Sequence, residues 1–256
     1  MENEIIEIKW SWGNPVIQEI LLKYYREWLF NSSENVSRMV EKILSLSDVR
    51  PSAHILDIGC GLGYHAIDLT KKGFQVSAFD PGDKYIEIAK KNALTEKANV
   101  SFQVMTCSDL RISEQFDLAW AGWYCPGQLS RSELVQDFKR IYESLIPGGW
   151  FISTVAGKQK ISPMEKVRNW RQLSDCFALS EKWADETHFH EHSWFVYPET
   201  NKIIKIVEVE KMYGVNELTP LLAEAGFTDI TTAKDLTGKE PAEEGEYFAF
   251  WCRKKE

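Results

Sequence analysis

Short apolar runs alternate with segments of helical period from His54 to Val155, and few folds tolerate that rhythm. His54 to Asp57 reads as a buried strand, and the turn Gly59-Cys60-Gly61-Leu62-Gly63 feeds a helix through Ala66, Ile67 and Leu69 that stops at Gly73. The unit then repeats: Phe74 to Phe79 is a strand, Asp83 to Leu94 a helix, Val100 to Met105 a strand and Phe116 to Ala121 another. Ser130 to Leu145 is an amphipathic helix, ended by Pro147-Gly148-Gly149 before the strand Trp150 to Val155. Strands separated by helices in this way form right-handed βαβ units and a parallel sheet covered on both faces. The expectation is therefore an α/β, doubly wound, Rossmann-like fold with a mostly parallel sheet of seven strands.

The flanks modify that plan. Pro15 to about Leu46 carries apolar residues at spacings of three and four, broken at Asn31-Ser32-Ser33, which predicts two helices ahead of the first strand. Between Lys158 and Tyr213 the rhythm changes to a charged helical piece and two strand-like runs joined by Pro198-Glu199-Thr200-Asn201, read as an inserted antiparallel β region. The α/β rhythm resumes in Asn216 to Ala225, Phe227 to Thr232 and Tyr247 to Arg253. Residues 1–157 and 214–256 are thus expected to form one core domain, with 1–50 as a helical cap and 158–213 as the insertion.

Charge and cysteine usage narrow the function. Thirty Lys and Arg against 38 Asp and Glu give a net charge of -8, which disfavours a nucleic-acid partner. No apolar stretch approaches the length of a membrane span, and Met1 to Trp10 lacks the features of a secretory leader. Five cysteines without a Cys-x-x-Cys pair suit a reducing cytoplasm and suggest neither a disulfide framework nor a zinc knuckle, and no metal is expected. A monomer or homodimer is expected.

A glycine-rich turn between a first strand and its helix lets backbone approach a ligand, with oriented N–H groups beside it. The dinucleotide fingerprint would place its last glycine at position 64, where this chain has Tyr64, with Gly63 one residue earlier. Asp80 closes the second strand, where a carboxylate can accept from both hydroxyls of a ribose. Asp109 follows the third strand in Ser108-Asp109-Leu110, placed for the exocyclic amine of an adenine. These features together resemble the class I S-adenosylmethionine-dependent methyltransferases, and Ile55 to Gly63, Val76 to Asp80, Phe116 to Gly122, Leu145 to Gly149 and Ala223 to Phe227 carry the likeness. The resemblance implies S-adenosylmethionine as cofactor, held by Asp57, Gly59, Gly61, Gly63, Asp80, Pro81, Ser108, Asp109, Leu110 and Ala121. Proline at position 81 departs from the family pattern. Tyr25 and Trp28 are candidates for a covering helix.

The acceptor is less legible, because methyl transfer depends chiefly on positioning and requires no obligatory catalytic residue. Ala121-Gly122-Trp123-Tyr124-Cys125-Pro126-Gly127 lacks the Asn-Pro-Pro-Tyr type motif, and Cys125 precedes its proline, so Cys125 is read as structural. His188, His190 and His192 alternate along one strand and are candidates for a general base, as is Tyr124. Trp123, Tyr124, Trp170 and Trp194 are candidates for an acceptor pocket roofed by the insertion, in a branch of the family that carries such a sheet. The leading expectation is transfer of a methyl group to a small molecule by in-line displacement. The alternatives are a nicotinamide-dependent oxidoreductase and a cofactor-binding interaction protein without turnover.

Overall fold

The computed structural model describes residues 4–25, 33–124, 126–155, 165–242 and 248–256. The elements in chain order are β1 (Glu4–Lys9), α1 (Pro15–Tyr24), α2 (Ser33–Ser47), β2 (His54–Ile58), α3 (Tyr64–Lys71), β3 (Gln75–Asp80), α4 (Asp83–Thr95), β4 (Ser101–Val104) and β5 (Phe116–Tyr124). They continue through α5 (Arg131–Ser144), β6 (Leu145–Val155), β7 (Val167–Gln172), β8 (Phe177–Ala184), β9 (His188–Tyr197), β10 (Lys202–Lys211), α6 (Val215–Ala225), β11 (Thr228–Ala233) and β12 (Phe248–Arg253).

Seven strands pair in the order β11-β12-β6-β5-β2-β3-β4, with β12 antiparallel to β6 and the run from β6 to β4 parallel. Both sheet faces are covered. On one side Leu134, Phe138 and Ile141 of α5 and Leu218 and Leu222 of α6 pack against Leu56, Ala119 and Phe151. On the other, Val40 and Ile43 of α2, Ile67 and Leu69 of α3 and Ile86 and Ala89 of α4 pack against Ile55, Val76, Leu118 and Trp120. Side chains buried to this degree contribute about 1.5–3 kcal/mol each relative to exposure, which explains why β2, sandwiched on both faces, is apolar apart from Asp57 and His54.

Strand order reverses at β2: β3 and β4 build outward on one side, then the chain returns to place β5 and β6 on the other. Open α/β sheets bind ligands in the crevice beyond the carboxyl ends of the strands at such a reversal.

Two expectations about the smaller sheet are corrected. It has five strands in the order β1-β10-β9-β8-β7, so the segment read as a charged helical piece is the strand pair β7 and β8. β7 is an edge strand exposed at every residue, where charge has no need to alternate with apolar residues; Arg168 lies opposite Glu181 and donates to it at 2.9 Å. The N-terminal strand β1, not anticipated from the sequence, pairs parallel to β10 with Ile6 beside Ile204 and Ile8 beside Ile206. Helix α1 follows, begun by Asn14, whose Oδ1 accepts from the N–H groups of Val16 and Ile17. Its Ile17, Ile20 and Leu21 pack on Ala178, Phe195, Ile204 and Ile206 of the smaller sheet.

Candidate active site

The glycine loop sits at the strand reversal, with Gly59, Gly61 and Gly63 at φ of +68°, +51° and +81°. All three adopt the left-handed region that disfavours other residues. Their surroundings differ. A Cβ on Gly63 would lie 2.8 Å from Phe102 Cζ and 3.0 Å from Ala89 Cβ, so this glycine lets α3 approach β4 and α4. A Cβ on Gly59 would meet nothing within 4 Å, so the backbone there borders open space that a ligand can fill.

Two aspartates brace the loop. Asp80 accepts the Gly61 N–H at Oδ2 (3.0 Å) and the Gly82 N–H at Oδ1 (2.8 Å), while the N–H groups of Gly59 and Cys60 donate to the Phe79 carbonyl at 2.9 and 3.0 Å. Burial pushes the Asp80 carboxyl up to about 6 despite those two bonds. Asp57 is 1% exposed, and burial, reinforced by the nearby Asp80 charge, pushes it up to about 7 against a backbone hydrogen bond from Ala66. Its Oδ2 is sealed from solvent and has no hydrogen-bond partner among the described residues. Such an oxygen carries a cost that a cationic group at the loop would relieve. His65, in the first turn of α3, is half-buried, with Nε2 sealed from solvent and unpartnered among the described residues, and the burial of its ring pushes it down to about 4. Its ring meets Trp120 edge-on at 5.8 Å.

Next to this loop lies a cavity of about 440 Å³ whose walls include Trp12, Gly13, Pro81, Met105, Asp109 and Gln128. The structure thus brings Pro81 and Asp109 together at one cavity on the carboxyl edge. Asp109 caps its own turn: its Oδ2 accepts from the Thr106 N–H (2.9 Å) and Thr106 Oγ1 (2.8 Å), which hold the carboxyl below its ordinary range. Ser108 is exposed beside it, its Oγ 2.7 Å from Thr106 Oγ1. Leu110 and Ala121 lie in the core under the site, at 3% and 1% exposure, so their side chains offer it little open surface. Trp12 and Gln128 were not anticipated. Trp12 follows a strand that the sequence did not reveal, and Gln128 lies in a short turn with no motif of its own.

Strand parity decides the role of the smaller sheet. Phe195, Ile204, Ile206 and Ala178 face α1, so Phe189, Glu191 and Ser193 of β9 and Glu208 and Glu210 of β10 share that inner face. Gln128 Nε2 donates to Glu210 Oε1 at 2.8 Å, which ties this face to the cavity rim. Glu191 pairs with Lys182 at 2.7 Å and accepts from Ser193 Oγ at 2.9 Å. Burial, and then the charges of Glu210 and Glu191, push the Glu208 carboxyl well above its ordinary range; Glu210 is raised too, chiefly by burial. Tyr25, a sequence candidate, belongs to this side: the Arg171 guanidinium lies over its ring at 5.2 Å.

His188, His190, His192 and Trp194 have the opposite parity and lie on the outer face, as does Trp170, which pairs in register with Leu179 and is 73% exposed. This placement corrects the expectation that they line the acceptor pocket: a side chain on the far face of a sheet cannot reach the crevice through it. His190 stacks on Trp183 and lies 3.0 Å from Asp185 Oδ2 through Nε2, and His192 meets Trp183 edge-on. Among the described residues no three metal-binding side chains stand close enough to hold an ion. Trp123 and Tyr124 end β5, and their side chains, with Trp28 and Cys125, lie outside the described residues.

Comparison with known proteins agrees with this geometry. Residues 55–149 match a family described as methyltransferase domain. A protein of Geobacillus sp. (strain WCH70) named as a methyltransferase is 28% identical over 84% of this chain and 90% of its own length. Among solved structures, an S-adenosylmethionine-dependent methyltransferase from Clostridium acetobutylicum ATCC 824 aligns with a TM-score of 0.75 at 16% identity, covering 94% of this chain and 98% of that one. The S-adenosylmethionine-bound CalS10, an amino pentose methyltransferase from Micromonospora echinaspora, aligns with a TM-score of 0.62 at 14% identity over 88% of this chain and 93% of its own. Among the described residues, no helix is long and apolar enough to cross a membrane. The matched segment, the fold and the glycine loop at the strand reversal identify residues 55–149 as a methyltransferase domain, carried on the fold of S-adenosylmethionine-dependent methyltransferases.

Proposed function

We propose that the chain transfers the methyl group of S-adenosylmethionine to a small-molecule acceptor bearing an amine, which enters between the cavity and the inner face of the smaller sheet. The observation that carries the donor half is the unpartnered Asp57 oxygen beside the open flank of Gly59. An α-ammonium at the loop supplies the missing counter-charge, and the residues present therefore fit the group. Asp80 would take the ribose hydroxyls: each carboxylate oxygen keeps a lone pair beyond the one used by Gly61 or Gly82. Trp12, Pro81 and Asp109 would surround the adenine in the cavity.

When bound, S-adenosylmethionine supplies an electrophilic methyl group on a sulfonium. The chain's own task is to hold the acceptor in line with it and to exclude water. An amine must give up its proton to expose the lone pair, and Glu208 and Glu210, whose carboxyls hold their protons above the ordinary range, would once ionised beside a cationic acceptor supply both attraction for it and a place for that proton. CalS10, named for an amino pentose, supports an acceptor of this chemical kind. The experiment is a screen of amines, hydroxyl compounds and a transfer RNA pool with isotopically labelled donor, using the parent chain and Glu208→Gln. Labelling of amines that drops at least ten-fold in Glu208→Gln, with donor affinity held within two-fold, is the expected result. Labelling confined to hydroxyl compounds or RNA refutes the acceptor assignment.

A further inference from the structure

Between β1 and α1 the chain crosses the cavity as a short strap, residues 10–13, whose Ser11, Trp12 and Gly13 form part of the cavity wall. Three contacts hold it. The Trp10 N–H donates to the Val207 carbonyl at 2.8 Å, which fastens the strap's start to β10 of the smaller sheet. Gly13 packs on Pro81: a Cβ there would lie 3.5 Å from the Pro81 carbonyl oxygen and 3.8 Å from its Cβ. The third contact is a side chain. Gln18 is 0% exposed, and its Nε2 donates to the Trp12 carbonyl at 3.2 Å while its Oε1 accepts the Lys84 N–H at 3.0 Å.

A fully buried amide among Ile17, Ile20 and Leu21 is costly unless its polar atoms are bonded, and a leucine at this position would satisfy the apolar surroundings of α1 equally well. The bonds that Gln18 makes run to the two elements that must keep register with each other: the strap carrying Trp12, and the first turn of α4, which follows directly on Asp80, Pro81 and Gly82. Trp12 is further braced by Trp10, edge-on at 5.3 Å and 82°. An indole held at the wall of a cavity that also presents Pro81 and Asp109 offers a planar π-face to a planar heterocycle.

We infer that Trp12 is the residue against which the adenine of the donor packs, and that Gln18 is a positioning residue that holds the Trp12 strap in register with the Asp80-Pro81-Gly82 segment. The inference rests on the donor reading of the cavity and goes beyond it. It assigns adenosyl recognition partly to a segment outside the residues 55–149 that match the methyltransferase domain, and it makes the donor wall continuous with the smaller sheet.

The test titrates the full chain with S-adenosylhomocysteine, following heat by calorimetry and tryptophan emission in parallel, for the parent, Trp12→Phe, Trp12→Ala and Gln18→Leu. The parent binds with a change in emission. Trp12→Phe keeps affinity within about three-fold, since a phenyl ring still stacks, but loses most of the emission change. Trp12→Ala weakens binding about ten-fold or more, in line with the loss of a base-stacking face. Gln18→Leu weakens it about five-fold or more and diminishes the emission change, although the variant folds. The emission readout separates positioning from general softening, because a merely structural residue would not move the Trp12 signal at saturating ligand. An emission change in Trp12→Phe equal to the parent's, or a folded Gln18→Leu with parental affinity and signal, overturns the inference. Should Gln18→Leu fail to fold, Gln18→Asn, too short to span both partners, takes its place under the same criteria. A parent chain that binds no S-adenosylhomocysteine overturns the donor reading itself, an outcome distinct from parental binding in the variants.

Discussion

Replacing Asp80 with asparagine separates ligand recognition from folding. Both Asp80 oxygens already accept a glycine N–H, and ribose hydroxyls would add two charge-assisted bonds. Such bonds are worth about 1.5–3 kcal/mol against about 0.5–1.5 for neutral ones, so Asp80→Asn should lose about 2–3 kcal/mol of binding, or about 30- to 150-fold in affinity at pH 8. Stability should move much less. The rise of the Asp80 carboxyl from 3.8 to about 6 means that ionising it in the fold costs about 3 kcal/mol; this penalty is absent below pH 4 and complete above pH 6. Asparagine removes the penalty but leaves one glycine N–H facing an amide NH₂, at a cost of about 1–3 kcal/mol, so the two changes nearly offset at pH 8. The assay is calorimetry with S-adenosylmethionine at pH 8 and pH 5, with melting curves at both. At pH 5 the parent carboxyl in the empty site is mostly protonated, and the affinity gap should narrow about ten-fold. A folded Asp80→Asn variant that binds like the parent at pH 8 refutes the assignment of the ribose to this residue.

Three further outcomes follow from the same geometry. Asp57, pushed up to about 7, binds a proton in the fold that it gives up when unfolded, so the ligand-free chain should lose stability as pH rises from about 4 to about 7; Asp57→Asn should flatten that slope in thermal melts, and an unchanged slope counts against the burial argument. Gly63→Ala forces a Cβ to within 2.8 Å of Phe102 at a φ of +81° and should destabilise by about 1–3 kcal/mol in denaturant titration, whereas a parental midpoint would show that the loop relaxes freely. Trp170→Ala and Trp194→Ala, on the outer face, should leave donor affinity and turnover of an identified acceptor within about two-fold, and a large loss of turnover in either would mean that the faces are assigned the wrong way round.

The core sheet was legible because its signal is local. Strands β2, β3, β5 and β6 carry buried apolar residues on both faces, each helix shows its own period, and Gly59 to Gly63 needs positive φ at fixed positions, so about thirty consecutive residues suffice to recognise a unit. The smaller sheet was legible only in part. β9 and β10 are joined by a turn-forming tetrapeptide and were recovered, whereas β7 has the exposed, charged composition of an edge strand, and its short apolar content carries no period. β1 lies nearly two hundred residues from its partner β10, and a parallel pairing at that range leaves no local mark beyond the alternation of Ile6 and Ile8 with Glu7 and Lys9.

Which face of that sheet packs on the rest of the molecule was nonetheless written into β9. His188, His190 and His192 draw attention as chemistry-bearing residues, but Phe189 and Phe195 share the other parity, and the face that carries buried phenylalanine is the one that meets the rest of the molecule. Reading β9 by its apolar residues puts Glu191 and Ser193 inward, and the same argument in β10, where Ile204 and Ile206 precede Glu208 and Glu210, puts two more carboxylates beside them. The step that sequence cannot take is the docking of this face on the cavity rim. It depends on contacts such as Gln128 with Glu210 and the close approach of Gly127, where a Cβ would lie 2.4 Å from the Lys211 carbonyl oxygen. A carboxylate that reads as a solvated charge in sequence becomes, once so covered, a group whose ionisation is costly, and under the amine acceptor we propose a bound cation would offset that cost.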